Sequence, residues 1–441
     1  MDIFVGVIVG LLVLMFLVTA HEFGHFIAAR RNGVNVLEFG IGFPPRAIAW
    51  IKDPKTGKWR RLKKSEWDKD KATKAVVADS KKSTATIVDD STKKLFQKGM
   101  IFSLNWLPIG GFCQMDGESA EDKRKGTFGN AGFWAKTKIL FAGVAMNWLV
   151  AFVIFTILAW TGMPEFLEGQ FKLPVDTNTE SIPVKIATVA ESSPAEQAGM
   201  MSGDQILAVD NNEFLHASEI TDYNETKAGE KVTYKVLRES CSCEQCDGDA
   251  ECPLESEELE LVATLNSADQ DYLLGITMET SQSLSRSTWS APVVGAGLTL
   301  QLTGETFKGV GMILWNLITG VGSQFSFDAS VRESGQEAIS TVGDSVSGPV
   351  GIIGVLFPTF TAAGPTNLAF LTALISVSLA CMNVLPIPAL DGGRWLLIAI
   401  YKIRKKQLTK EAEEKIVSRA FLVLLALIFI VTILDIVRLA R

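Results

Sequence analysis

Histidine is scarce in this sequence, three among 441 residues, so a metal site made of imidazoles alone would nearly exhaust the supply. A Gly-X-Y period and a long heptad are both missing, and Leu, Ile, Val and Phe are plentiful; collagen-like, coiled-coil and largely disordered classes are excluded. Lys and Arg are sparse over residues 163–365, 9 against 30 acids, while residues 26–100 carry 18 against 8. The net charge of −7 is therefore the sum of two opposed blocks, and it says nothing about nucleic acid, for which no binding module is present.

What is present is apolar residue in runs. The composition, 47% hydrophobic and 21% charged, suits an ordinary globular protein on average. The average conceals Ile3–Ala20, Ile139–Trp160, Leu368–Leu385 and Ala420–Leu434, which read as four membrane spans. The first is not expected to be a signal peptide, because Met1-Asp2 supplies no basic region and the run ends in HEFGH rather than at a small-residue cleavage site. Positive charge gathers after span 1 and after span 3 (Lys402–Lys406), which places those segments in the cytoplasm, the acidic block outside and both termini outside. The Lys-rich stretch 52–98 reads as a solvated loop, with attraction to anionic headgroups as a second reading.

His21-Glu22-Phe23-Gly24-His25 directly continues the first span. On a helix, imidazoles at i and i+4 share a face and can bind one zinc ion, with the intervening glutamate beside it as general base. Ionisable groups against an 18-residue apolar run are costly in lipid, which favours function over chance. Catalytic zinc usually takes three protein ligands. His216, the remaining histidine, lies in the external block, so the third ligand should be a carboxylate from another membrane segment. Span 3 ends in Asn383-Val384-Leu385-Pro386-Ile387-Pro388-Ala389-Leu390-Asp391-Gly392-Gly393, where two prolines break the helix just before Asp391. Alone, an aspartate before Gly-Gly is a turn or N-cap residue. The missing ligand makes it the candidate.

With these motifs the chain resembles the site-2 protease family of intramembrane zinc metalloproteases, and within it the bacterial regulator of sigma E protease group. HEFGH matches the zinc motif, NVLPIPALDGG matches N-x-x-P-x-P-x-L-D-G, and the likeness covers most of the chain. Leu107–Glu118 resembles the group's membrane-associated Gly-Gly β-hairpin, Phe39–Phe43 the strand before it, and Ser347–Ile353 a Ser-Gly-Pro segment ahead of span 3. The resemblance implies one zinc ion on His21, His25 and Asp391 with Glu22 as base. It also implies substrate contacts from Asn383 and from Gly110, Gly111, Phe112, Cys113, Gln114 and Met115. Asn147 takes the place of a span-2 substrate contact, although Ala142-Gly143-Val144 stands where Ala-Gly-Pro is usual.

The external block alternates apolar and polar residues over 183–279, as short strands do. It resembles one PDZ domain, with Leu273, Leu274, Gly275 and Ile276 as the carboxylate-binding strand; a size filter without a peptide groove is the alternative. Cys241, Cys243, Cys246 and Cys252 form two disulfides or a structural zinc knot, and Cys113 and Cys381 are small apolar residues.

The expected fold is an α-helical integral membrane protein with four transmembrane helices and a membrane-associated β-hairpin, plus one external α+β PDZ-like domain. Its expected layout starts with span 1 (1–30), a basic cytoplasmic loop with the hairpin (31–135), span 2 (136–162) and a linker (163–182). The external domain (183–280), interfacial amphipathic helices (281–365), span 3 (366–400), a cytoplasmic loop (401–419) and span 4 (420–438) follow. The expected function is zinc-dependent cleavage of the transmembrane segment of a single-span protein in the bacterial inner membrane, with the active site toward the cytoplasm. The resemblance implies a substrate already shortened by another protease, such as an anti-sigma factor or a remnant signal peptide. A non-catalytic scaffold and a metal transporter are the rivals; all four catalytic positions being present disfavours the first, and the proline break and external domain have no purpose in the second.

Overall fold

The computed structural model describes residues 2–53, 56–62, 100–118, 122–167, 169–180, 184–212, 214, 217–241, 254–267, 272–278, 284–323 and 348–439. Most of the Lys-rich loop, His216, Cys243, Cys246 and Cys252 lie outside the described residues, and so do the expectations placed on them. The chain divides into two units, Met1–Ile157 with Pro292–Arg441, and Leu158–Ala291.

In the first unit the apolar run and the HEFGH segment form one helix, α1 (Asp2–Arg31), which ends at Asn32-Gly33 with Gly33 in the left-handed region (φ +73°). At about 1.5 Å per residue it exceeds the bilayer core, so its second half can carry chemistry beyond the span. Three other helices are long and apolar enough to cross a membrane: α2 (Phe133–Thr161), α7 (Pro365–Val384) and α9 (Lys410–Leu439). The protein is an integral membrane protein.

Between α1 and α2, β1 (Val36–Lys52), β2 (Trp59–Arg61) and β3 (Met100–Met115) form one antiparallel sheet. Both long strands bend, so residues 100–107 lie between two stretches of β1: Phe102 is opposite Phe39 on one side and Trp50 on the other. The Gly-Gly segment then pairs outward, Gly111 with Ile41 and Cys113 with Phe39. The segment expected as a membrane-associated hairpin over 107–118 thus forms the edge of a larger sheet through residue 115, and the FGIGF strand expected before it is its partner. The buried Glu38 pins the sheet, accepting from Arg46 Nε (2.9 Å) and Ser103 Oγ (2.6 Å).

Residues 291–323 form one 33-residue helix, α5 (Ala291–Ser323), where several interfacial helices were expected. Gly295 lets it approach α2 closely, since a Cβ there would run into Thr156 and the Phe152 carbonyl. Val294, Leu298 and Leu302 are buried, whereas Met312, Trp315 and Ile318 are exposed. A shorter apolar helix, α6 (Pro349–Ala362, with a π-turn over Ile352–Leu356), lies against the start of α1, where Gly10 faces the Phe357 ring. After α7 the chain turns at the two prolines into α8 (Asp391–Ile403).

α9 presents Leu422, Val423, Phe429 and Ile430 outward, as a lipid-facing helix does. Two acids tie it down. Glu413 bonds Arg394 Nε of α8 at 3.2 Å, and the buried Asp435 accepts from the Gly348 (3.1 Å) and Gly351 (2.9 Å) amides at the start of α6. Asp435 thus caps a helix other than its own. Asp435→Leu should leave two amides without partners and lower stability by about 1–3 kcal/mol, with Asp435→Asn losing less; thermal unfolding in detergent measures both.

The second unit carries a five-stranded antiparallel sheet built from β6 (Val184–Val189), β7 (Gln205–Val209), β8 (Lys231–Cys241), β9 (Leu254–Thr264) and β10 (Ile276–Met278), in the order β10-β6-β7-β8-β9. Val184, Ile186, Ile206, Val232, Val236 and Tyr234 form its core with Ala195 from α3 (Pro194–Gln197) and Ile220 from α4 (Ala217–Thr226). Cys241 ends β8 opposite Leu254. The expected linker is partly sheet, since Met163–Pro164 (β4) and Asn178–Glu180 (β5) flank Leu284–Arg286 (β11).

Asp204, 1% exposed, is gripped by Arg238 through two bonds of 2.7 Å and by the Met201 amide at 2.8 Å. Burial opposes its charge, but these donors win and hold its carboxyl below the ordinary range. A depressed carboxyl pKa contributes stability above the unfolded value of about 4, and that contribution is lost as pH falls through the folded value. Protection from hydrogen exchange in this unit, relative to the free-amide rate at each pH, should therefore hold from neutrality to about pH 4 and fall below. Arg238→Gln should remove about 2 kcal/mol or more at neutral pH, because it strands a buried carboxylate.

Candidate active site

The helical period brings His21 and His25 onto one face of α1, both buried, with ring centroids 4.8 Å apart. The chain then travels to residue 391 before the third group arrives. His21 Nε2 lies 3.0 Å from Asp391 Oδ2, His25 Nε2 3.2 Å from the same oxygen, and the two Nε2 atoms 3.1 Å from each other. Three donors on a near-equilateral triangle are what a tetrahedral zinc needs, since donors about 2.0–2.2 Å from the ion stand roughly 3.3–3.5 Å apart. The residues fit one such ion. The ligand atoms of His21, Glu22 and His25 lie within 4.8 Å of one another, so Glu22 is beside the triangle.

The outer nitrogens are held from α2. His25 Nδ1 is 2.8 Å from the Ile139 carbonyl, an arrangement that puts the ring proton on Nδ1 and leaves Nε2 as a lone pair. His21 Nδ1 is 3.4 Å from the Asn147 amide nitrogen, while Asn147 Oδ1 is buried without a partner. Rotating that amide by half a turn offers Oδ1 to an Nδ1 proton and satisfies both groups. Asn147, expected among the substrate contacts, is only 1% exposed and sits on the ring nitrogen opposite the one that meets Asp391. Its place in this structure is behind the histidine.

Gly143 forms the floor. A Cβ there would stand 2.6 Å from both His21 Nε2 and His25 Nε2, and Gly24 meets the Ala142 carbonyl from the facing helix just as closely. Asp391 is positioned by the proline break. Leu390 N bonds Ile387 O (2.8 Å), and Arg394 N bonds Leu390 O (2.9 Å) as α8 begins. Gly392 and Gly393 press against the carbonyls of Val384 and Ile387, which explains the two glycines after the aspartate. Trp395 Nε1 then bonds Thr137 of α2 at 2.9 Å, and Arg394 reaches the Glu118 carbonyl at 2.6 Å.

Glu22 Oε2 accepts from the Cys113 amide at 3.0 Å, so the edge strand 110–115 lies against the glutamate. No described strand pairs with its outer edge. Burial, reinforced by the charges of Glu22 and Glu118, pushes the Cys113 thiol up and keeps it neutral. Asn383 turns its amide nitrogen to the Leu379 carbonyl of its own helix (3.0 Å). Leu273–Ile276 belong to the other unit, where Gly275 (φ +79°) precedes β10 at the sheet edge.

Similarity to known proteins agrees with this geometry. The family description Peptidase family M50 matches residues 9–59 and 90–428. The chain belongs to peptidase family M50. It is a zinc metalloprotease of that family, and His21-Glu22-His25 is its HExxH group. A Staphylococcus aureus (strain N315) protein named as a zinc metalloprotease is 28% identical over 99% of both chains. A similarly named Clostridium acetobutylicum protein is 26% identical over 98% of both, and one from Rhizobium meliloti (strain 1021) is 22% identical over 92% of this chain and 89% of its own.

Sequence reasoning missed Gly143, the Ile139 carbonyl and the position of Asn147. The spacing Gly143-x-x-x-Asn147, one helical turn, was the available signal. Gly143→Ala should push the imidazoles apart and lower zinc retention at least about tenfold after dialysis, with helicity unchanged; metal analysis and circular dichroism check it.

Proposed function

We propose that the chain is an intramembrane endopeptidase that cuts the transmembrane segment of a single-span membrane protein near the cytoplasmic face. The carrying observation is the place of the His-Glu-His group: on a helix that is itself a membrane span, with the third donor delivered at the end of another span. His21, His25 and Asp391 hold one zinc ion. When bound, zinc polarises a carbonyl and makes water acidic enough to ionise near neutral pH. Glu22 takes the proton from the attacking water and returns it to the leaving amine.

A helical substrate hides its carbonyls in its own hydrogen bonds and must unwind. Gly110–Met115 supports that step, because an open strand edge beside the base lets an extended segment recover backbone hydrogen bonds by strand addition. Asn383 exchanges its intrahelical bond for the substrate backbone or the developing oxyanion. The distribution of Lys and Arg supports termini outside and an active site toward the cytoplasm of the inner membrane.

The substrate reading is a protein whose outer part another protease has already removed, such as an anti-sigma factor or a remnant signal peptide. The second unit acts as a PDZ-like filter, with Leu273–Ile276 leading into the edge strand β10 as the carboxylate-binding segment; its antiparallel sheet and exposed edge support this.

Glu22→Gln in the full chain should keep zinc and lose cleavage by a factor of about 10²–10⁴, and cells carrying it should accumulate a shortened single-span protein. Undiminished cleavage with zinc still bound would remove Glu22 from the mechanism.

A further inference from the structure

Away from the zinc ligands, a cavity of about 340 Å³ opens among the start of α2, the end of α8 and the turn into α9. Four lysines line it, Lys123, Lys136, Lys402 and Lys406, and the remaining wall is Phe133, Ile398, Tyr401, Leu408 and Gln407. Among the described residues no carboxylate lies within 4.0 Å of any of these four ammonium groups. Lys136 is 8% exposed and donates to the Gly129 carbonyl at 2.9 Å; the charge of Glu413, which reaches it, is already shared with Arg394 at 3.2 Å. Lys402 stands 3.8 Å from the centre of the Phe133 ring.

A solvated charged face does not look like this. Lysines on such a face line no common hollow, whereas these four line one with an aromatic wall, and the one carboxylate whose charge reaches Lys136, Glu413, is shared with Arg394. The repulsion among them is relieved by an anion. The size is at the small end of ligand sites and suits a headgroup rather than a large cofactor. The location selects the source: the cavity lies at the start of α2 and of α9, two helices long and apolar enough to cross a membrane, and at the end of α8, with the exposed Trp134 beside Phe133 in the chain, and basic pockets between helix ends on the Lys- and Arg-rich side bind anionic lipid.

We propose that this cavity is a binding site for the phosphate of an anionic phospholipid headgroup, with Lys402 and Lys406 meeting the phosphate from α8 and the turn after it, and Lys136 supplying charge from below. An occupied site would join α2, α8 and α9 at the end where α8 presents Asp391.

The test is native mass spectrometry of the full chain released from detergent containing equal amounts of dioctanoyl phosphatidylglycerol and dioctanoyl phosphatidylcholine. The wild type should retain the anionic lipid at least about tenfold over the zwitterionic one, and Lys402→Gln with Lys406→Gln should reduce that preference about tenfold while zinc content stays unchanged. Both lysines are exposed, so the double variant should fold; circular dichroism checks this. No preference in the wild type, or an undiminished preference in a folded double variant, overturns the proposal. So does displacement of the lipid by inorganic phosphate at equal concentration, which would make the site one for a free anion.

Discussion

Two imidazoles and a carboxylate inside an otherwise apolar helix bundle are tolerable only if each has a partner, and here each is the others' partner. That requirement is what the rest of the first unit satisfies. α1 provides two donors by its period alone, but the third comes from a residue 366 positions beyond His25 and must be held to a fraction of an ångström. The proline break, the two glycines pressed on carbonyls and the bonds of Arg394 and Trp395 serve that placement. Without α2 behind them, the imidazoles would have neither a fixed tautomer nor a fixed spacing.

The same logic extends to the periphery. α9 has few apolar contacts within the protein, and its position is set by two acids at opposite ends, Glu413 toward α8 and Asp435 toward α6. Ion pairs at a membrane boundary and amide caps within it are directional, whereas lipid tails compete freely with Leu and Ile for an apolar helix face. Specific placement of a lipid-facing helix therefore falls to its few polar residues.

Spacing made HEFGH legible, since i and i+4 have one geometric meaning on a helix, and the four spans were legible from length and hydropathy. From the residues alone Asp391 could be reached only by elimination, because a turn aspartate looks the same locally; the resemblance of its motif to the site-2 protease family made it legible. Ile139 could not be reached at all: its contribution to His25 is a backbone carbonyl, which every residue possesses. Asp435 fell just past the end of the fourth apolar run at Leu434, and its partners are two amides with no side-chain signature. That 291–323 forms one helix was not legible because Glu305 and Lys308 interrupt its apolar run, and the close approach of Gly295 to α2 is a tertiary contact without a local signal. Strand pairing of Phe39–Phe43 with the Gly-Gly segment was hidden by the long stretch of chain between them.

Met163 and Ser285 are partners in the small sheet of the second unit, so its first and last strands run side by side. Antiparallel partners stand about 5 Å apart at Cα. The second unit thus begins and ends on neighbouring strands of one small sheet. The segment between those residues can lengthen or shorten while the two ends of the insertion stay side by side.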